Sequence, residues 1–124
     1  MDLMRHVRDI VPADAGATLA ARVFDPDVGP CVAAVRGDTV VDLSGVEPTM
    51  SHLLDRADAL DILREAPGGA QWSTQRLLAN TLRQDDAGPR FLAPVDLQVI
   101  KAAGVTFVRS MLERVIEERS RSVR

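Results

Sequence analysis

The stretch ATLAARVFDPDVGPCVAAVRGDTVVDLS, residues 17–44, decides the fold. ATLAARVFD at 17–25 is rich in strand formers and runs into Asp25-Pro26-Asp27-Val28-Gly29-Pro30, a dense cluster of turn residues. CVAAVR and TVVDLS follow, joined by Gly37-Asp38, a pair of the kind that closes hairpins. The reading is a small antiparallel sheet over 17–44.

Working outward, Thr49 is suited to N-cap a helix that carries Met50, Leu53, Leu54 and Ala57 on one face, with Ser51 as an alternative start. Leu60, Ile62 and Leu63 continue it or form a second short helix, and Pro67-Gly68-Gly69 ends the region. A further helical pattern runs through Trp72, Leu77, Leu78 and Leu82 over 70–82. Residues 83–90 are polar, contain Asp85-Asp86 and Gly88-Pro89, and read as a linker. The expected fold class is therefore α+β: an N-terminal domain over 1–90, with a second unit beginning at 91.

Phe91-Leu-Ala-Pro-Val95 leads into Val99-Ile-Lys-Ala-Ala-Gly-Val105, an apolar run without alternation that predicts a strand covered on both faces. Phe107, Val108, Met111, Leu112, Val115 and Ile116 then recur at helical spacing among charged residues, which predicts an amphipathic helix over 107–119. Both elements need a partner that three short strands do not supply. The chain is expected to begin a second domain and leave it unfinished.

Composition excludes several classes of function. At 124 residues and a net charge of -3, the chain suits one compact domain and has no overall pull toward nucleic acid or acidic lipid. It contains no Tyr, one Trp and three Phe, too few platforms for stacking single-stranded bases. Cys31 is the only cysteine, which rules out an internal disulfide and a Cys-rich zinc site and suits a reducing cytoplasm. Its apolar surroundings favour a core role over a nucleophilic one. The N-terminus lacks the apolar core of a signal peptide, and no stretch approaches membrane-spanning length, so neither membrane nor nucleic acid is an expected partner.

Chemistry is concentrated at the junction 101–113. Lys101 lies in the apolar run, Gly104 at the bend, and Thr106, Arg109, Ser110 and Glu113 follow. A glycine permits a sharp turn or close approach of a ligand, and a helix N-terminus offers free N–H groups to a carboxylate. Alternatively, Gly104 packs and Thr106 caps the helix. Ser110 and Glu113 are three apart and share a helix face, where a partly buried Glu acts as a general base; an ordinary solvated face with Arg109 paired to Glu113 gives the same spacing. A lysine inside a buried strand calls for a carboxylate partner, a Schiff base or an escape to solvent. His6 and His52 have no neighbours at metal-ligand spacing, and Asp25, Asp27, Asp38 and Asp42 sit at turns for backbone reasons. P-loop, GxGxxG, GxSxG and HExxH motifs are absent.

The segment FLAPVDLQVIKAAGVTFVRSMLERVIEE, residues 91–118, resembles the start of the catalytic domain in the fumarylacetoacetate hydrolase family, closest to the branch that dehydrates sugar-derived 2-keto-3-deoxy acids. The preceding residues, including PTMSHLL at 48–54, look like that branch's N-terminal domain. The resemblance implies that 91–124 is the truncated start, one strand and one helix, of a mixed β-roll catalytic domain. Family members carry Gly-x-Asn-Tyr-x-x-His-x-x-Glu here; this sequence has Gly104, Thr106, Phe107, Ser110 and Glu113 at the corresponding places. Without the histidine, dehydration with Glu113 moving protons fits better than hydrolysis of a carbon–carbon bond.

By the same resemblance, Glu113 and Ser110 are the expected catalytic residues, and Lys101, Gly104, Thr106 and Arg109 the expected contacts to a 2-keto acid substrate. The family's Mg2+ is held by three acidic residues further along than this chain reaches. The expectation is therefore no cofactor and no metal ligand here, Mg2+ and a homo-oligomer in the full-length enzyme, and no activity in this chain by itself. The competing expectation is a free-standing interaction module that pairs through the apolar face of helix 107–119.

Overall fold

The computed structural model describes residues 6–103 and 108–122. Its elements are β1 (Leu19–Asp25), β2 (Gly29–Arg36), β3 (Thr39–Asp42), α1 (Met50–Asp55), α2 (Ala59–Glu65), β4 (Gln71–Ser73), α3 (Thr74–Leu82), β5 (Arg90–Leu92) and α4 (Val108–Ser122), preceded by a single 3-10 turn at Val7–Asp9. The fold is α+β, built on one antiparallel sheet in the order β4-β3-β2-β1-β5. The three strands expected over 17–44 are all present. Gly29 and Gly37 occupy the two hairpin turns with φ of 103° and 63°, conformations that a side chain at Cβ would strain. Gly37 is the first central residue of a two-residue turn, between the paired Arg36 and Thr39.

Residues Cys31 to Ala34 of β2 are buried on both faces of the sheet. Val32 and Ala34 face one way and pack with Val41, Leu43, Met50, Leu53, Ile62 and Leu63, beneath α1 and α2. Cys31 and Ala33 face the other way with Val23, Val40, Trp72 and Leu77, beneath α3. The sheet is thus the middle of three layers.

The short helices depend on polar links. Thr49 caps α1 as expected, its Oγ1 accepting from the His52 amide at 3.1 Å. The helix stops at Asp55, so Leu54 faces solvent and Ala57 lies beyond its end; only Met50 and Leu53 are buried, not the four-residue face expected. At the far end of β2, the Arg36 guanidinium donates to the carbonyls of Ile62, Leu63 and Ala66 at 2.9–3.1 Å and so closes the C-terminus of α2.

Two strands had no signature in the sequence reading. Residues 71–73 do not open a helix: Trp72 pairs with Val40 and points into the core between exposed Gln71 and Ser73, and α3 begins at Thr74 with Ser73 as its N-cap. Residues 83–90 form a tight return. Gln84 adopts φ 54°, Asn80 binds the Pro89 carbonyl through Nδ2 at 2.8 Å, and Thr81 Oγ1 accepts from the Phe91 amide at 2.9 Å. This aims Arg90–Leu92 along β1 as an edge strand, so the sheet extends past residue 90, and Phe91 packs against the α3-side cluster.

The strand expected over 99–105 is not observed in its described part. Residues 99–103 carry no regular structure and are exposed, Val99 at 84% and Ile100 at 73%; residues 104 and 105 lie outside the described residues. The helix expected over 107–119 is present as α4, Val108–Ser122. Among the described residues no helix is long and apolar enough to cross a membrane.

The close passage of residues 67–70 along β3 is a stringent test of this packing. The Gly69 amide donates to the Asp42 carbonyl and the Asp42 amide to the Ala70 carbonyl, both at 2.9 Å. A Cβ on Gly68 would overlap that same Asp42 oxygen and the Val41 side chain. Gly68→Ala should therefore lower unfolding stability by about 2 kcal/mol, seen in urea titration as a lower midpoint with unchanged slope; a change below ~0.5 kcal/mol would contradict this register.

Candidate functional site

The residues named from the sequence do not converge. Lys101 is exposed in an irregular segment, not buried in a strand, so no desolvation forces a partner on it. Gly104 and Thr106 lie outside the described residues. Arg109, Ser110 and Glu113 all fall in α4, with the side chains of Arg109 and Ser110 outside the described residues and Glu113 exposed. The hollow beside α4 is lined by Ile116, Glu117, Ser120 and Arg121, and includes neither Glu113 nor Lys101.

Further concave sites belong to the sheet domain. An open hollow of about 540 Å³ is lined by His6, Arg8, Asp38, Ser73 and Gln75, beside the start of α3. A second, of about 380 Å³, lies between α3 and the β1–β5 edge and is apolar, lined among others by Ile10, Val35, Leu78, Phe91 and Pro94. Nothing in its lining titrates; of its two threonines, Thr81 spends its hydroxyl on the Leu77 carbonyl and the Phe91 amide, and Thr74 donates to the Gly37 carbonyl at 3.4 Å.

Cys31 sits in the core as expected. Its side chain is 1% exposed and its Sγ lies 3.4 Å from the Gly29 carbonyl. Burial pushes the thiol's pKa up, the nearby Asp42 charge adds to this, and a hydrogen bond with Ser44 opposes it. A protonated, enclosed thiol is a poor nucleophile. The turn aspartates serve the backbone: Asp25 accepts from the Asp27 amide and Asp42 from the Ser44 amide, each at 2.8 Å. Among the described residues no group of three or more His, Cys, Asp or Glu side chains is placed to hold a metal ion.

The best-built polar cluster went unnoticed in the sequence. Asp96 accepts from the amides of Met50 at 2.6 Å and Ser51 at 3.0 Å, at the start of α1, and from the Leu97 amide at 2.7 Å. Arg22 approaches its carboxylate at 3.8 Å and donates to the Ala93 and Val95 carbonyls. Burial would raise the Asp96 pKa, but these backbone donors and the Arg22 charge outweigh it and hold the carboxyl below the usual aspartate range. A carboxylate so fully engaged is a structural acceptor and a weak base. The sequence carries no local signal of it, because the α1 amides it binds lie 45 and 46 positions away.

Comparison with protein-family models, with curated proteins and with solved structures finds no match to this chain.

The state of Cys31 gives a direct check on the sheet domain. Alkylation by iodoacetamide at pH 8 should be at least ~100-fold slower in the folded chain than in urea-unfolded chain. Comparable rates would mean that β2 is not enclosed on both faces.

Proposed function

We propose that this chain is the N-terminal domain of a fumarylacetoacetate hydrolase family enzyme, together with the first segments of its catalytic unit. The parent activity in this reading is the Mg2+-dependent dehydration or hydrolysis of a sugar-derived 2-keto acid. One observation carries it. The sheet is already closed in three layers, and yet the chain continues into Val99, Ile100, Ala102 and Ala103, exposed and unpaired, and into α4 with Leu112, Val115 and Ile116 exposed. An apolar run of that kind suits a strand whose neighbours belong to another sheet, as the resemblance of 91–118 implies.

In this reading Glu113 moves a proton at the substrate and Ser110 takes the place of the family's histidine. Lys101 and Arg109 neutralise the substrate carboxylate, and Gly104 and Thr106 shape the turn between them. In this reading the magnesium ligands belong to the rest of the catalytic unit, so no metal step is assigned to the residues named here. The same exposed α4 residues support a second reading, in which the helix pairs this chain with another as a free-standing module.

A chimera joining this chain to the remaining catalytic portion of a family dehydratase separates the two. It should consume a 2-keto-3-deoxy sugar acid only with Mg2+, and Glu113→Gln should lower kcat by about 100-fold with a far smaller effect on KM. A folded chimera without turnover, or one indifferent to Glu113→Gln, would overturn the enzyme reading. A defined dimer of the unmodified chain in solution, dissociated by Ile116→Asp, would favour the module.

A further inference from the structure

The chain leaves the sheet through residues 93–98, and these are held by side chains from elsewhere in the fold. Pro94 has no N–H to extend the ladder beyond Leu92, and the Ala93 and Val95 carbonyls turn instead to the Arg22 guanidinium, at 3.1 and 2.8 Å. Asp96 then reaches the start of α1, a helix of six residues and too short to persist without outside support. Its two oxygens take the Met50 and Ser51 amides, while the third free amide, that of His52, goes to Thr49. The Asp96 amide donates to Gln98 Oε1 at 2.7 Å, which carries the ordering two residues further. Both charged side chains are largely enclosed, Arg22 at 17% and Asp96 at 12% exposure.

We propose that residues 93–98 form a strap buckled by Asp96, which opens and closes together with the first turn of α1 and sets the direction of the chain beyond residue 98. The hydrogen bonds joining the strap to α1 end on one carboxylate, so they are lost together. The apolar clusters on either face of the sheet include no residue of 93–98, and of Met50, Ser51 and His52 they include Met50 alone, so opening loosens one edge of the α1–α2 cluster and leaves β2 and the α3-side cluster packed. This holds whatever unit follows and does not rest on the family reading.

The charged groups around the buckle are few. Arg22 faces it from β1 and donates to the strap itself. On α1, the His52 ring lies 2.8 Å from Thr49 Oγ1, and just before the helix Glu47 is engaged by Arg56 at 3.3 Å. Because the folded state holds Asp96 ionised to lower pH than the unfolded state does, its contribution is complete above the ordinary aspartate pKa of about 3.9 and is lost as pH falls through the lower, folded value.

Residue-resolved hydrogen exchange on the full chain tests the proposal. Asp96→Asn keeps the shape and removes the charge; it should speed exchange at Met50, Ser51 and Leu97 by about tenfold or more while the β2 amides keep their wild-type rates. Arg22→Met should give the same pattern with a smaller factor. On acidifying the unsubstituted chain, those three amides should shift together, below the ordinary aspartate range, and this reading stands even if the variants fail to fold. Unchanged exchange at the three amides, equal acceleration across strap and sheet, or separate titration of Met50 and Leu97 would each overturn the strap.

Discussion

Four consecutive residues of β2, Cys31, Val32, Ala33 and Ala34, have almost no contact with solvent, and every other placement in the sheet domain answers to that. Successive side chains of a strand point to opposite faces, so a run buried at every position requires a layer on each side. α1 and α2 supply one layer and α3 the other. Two of the four residues are alanines, one on each face, which lets helix side chains such as Leu53 and Leu77 sink to full burial close to the sheet. The flanking strands β1 and β3 follow by hairpins, and the two three-residue strands β4 and β5 complete the edges.

Helices of six and seven residues do not hold their ends closed unaided, and here strand residues do it for them. Arg36 reaches from β2 to three carbonyls at the end of α2; Arg22 reaches from β1 to the strap whose aspartate closes the start of α1. Both arginines alternate with inward-facing apolar residues on the α1–α2 face, so their stems cover the core edge while the guanidinium supplies several donors in a fixed plane. A lysine in either place would offer one point charge and leave carbonyls unmatched. The abundance of arginine over lysine, which as composition carries no functional message, thus has specific uses at these two positions.

The parts of this architecture legible in the sequence are those with a local signal. Strand formers and turn residues marked 17–44, a Thr before an apolar turn marked the cap of α1, and the apolar setting of Cys31 marked it as core. The parts that were not legible are decided by distant pairing. Three residues are too few to display a period, so Gln71–Ser73 read as part of the helix that follows, Arg90 as the end of the linker, and Phe91 and Leu92 as the start of the next unit. The run at 99–105 shows the converse: apolar content without alternation suits a buried strand, but burial needs neighbours, and over 99–103 the described residues provide none. Of the candidate site residues, Lys101 for substrate binding and Glu113 for catalysis were to be joined through Gly104 and Thr106, which lie outside the described residues.

The division that results is chemical as well as structural. Within the sheet domain, Cys31 is enclosed and protonated, Asp96 serves three amides, the turn aspartates serve their own backbones, and Arg22 and Arg36 hold carbonyls. Each of these polar groups has been matched to another, and none of them is left poised for proton transfer or nucleophilic attack. Beyond residue 98 the balance reverses: Lys101 and Glu113 stand in solvent beside aliphatic side chains that are equally exposed. A covering surface that buried Val99, Ile100 and the α4 stripe would desolvate these charged groups in the same step. Burial of the aliphatic side chains and desolvation of the neighbouring charges in this segment are therefore a single event.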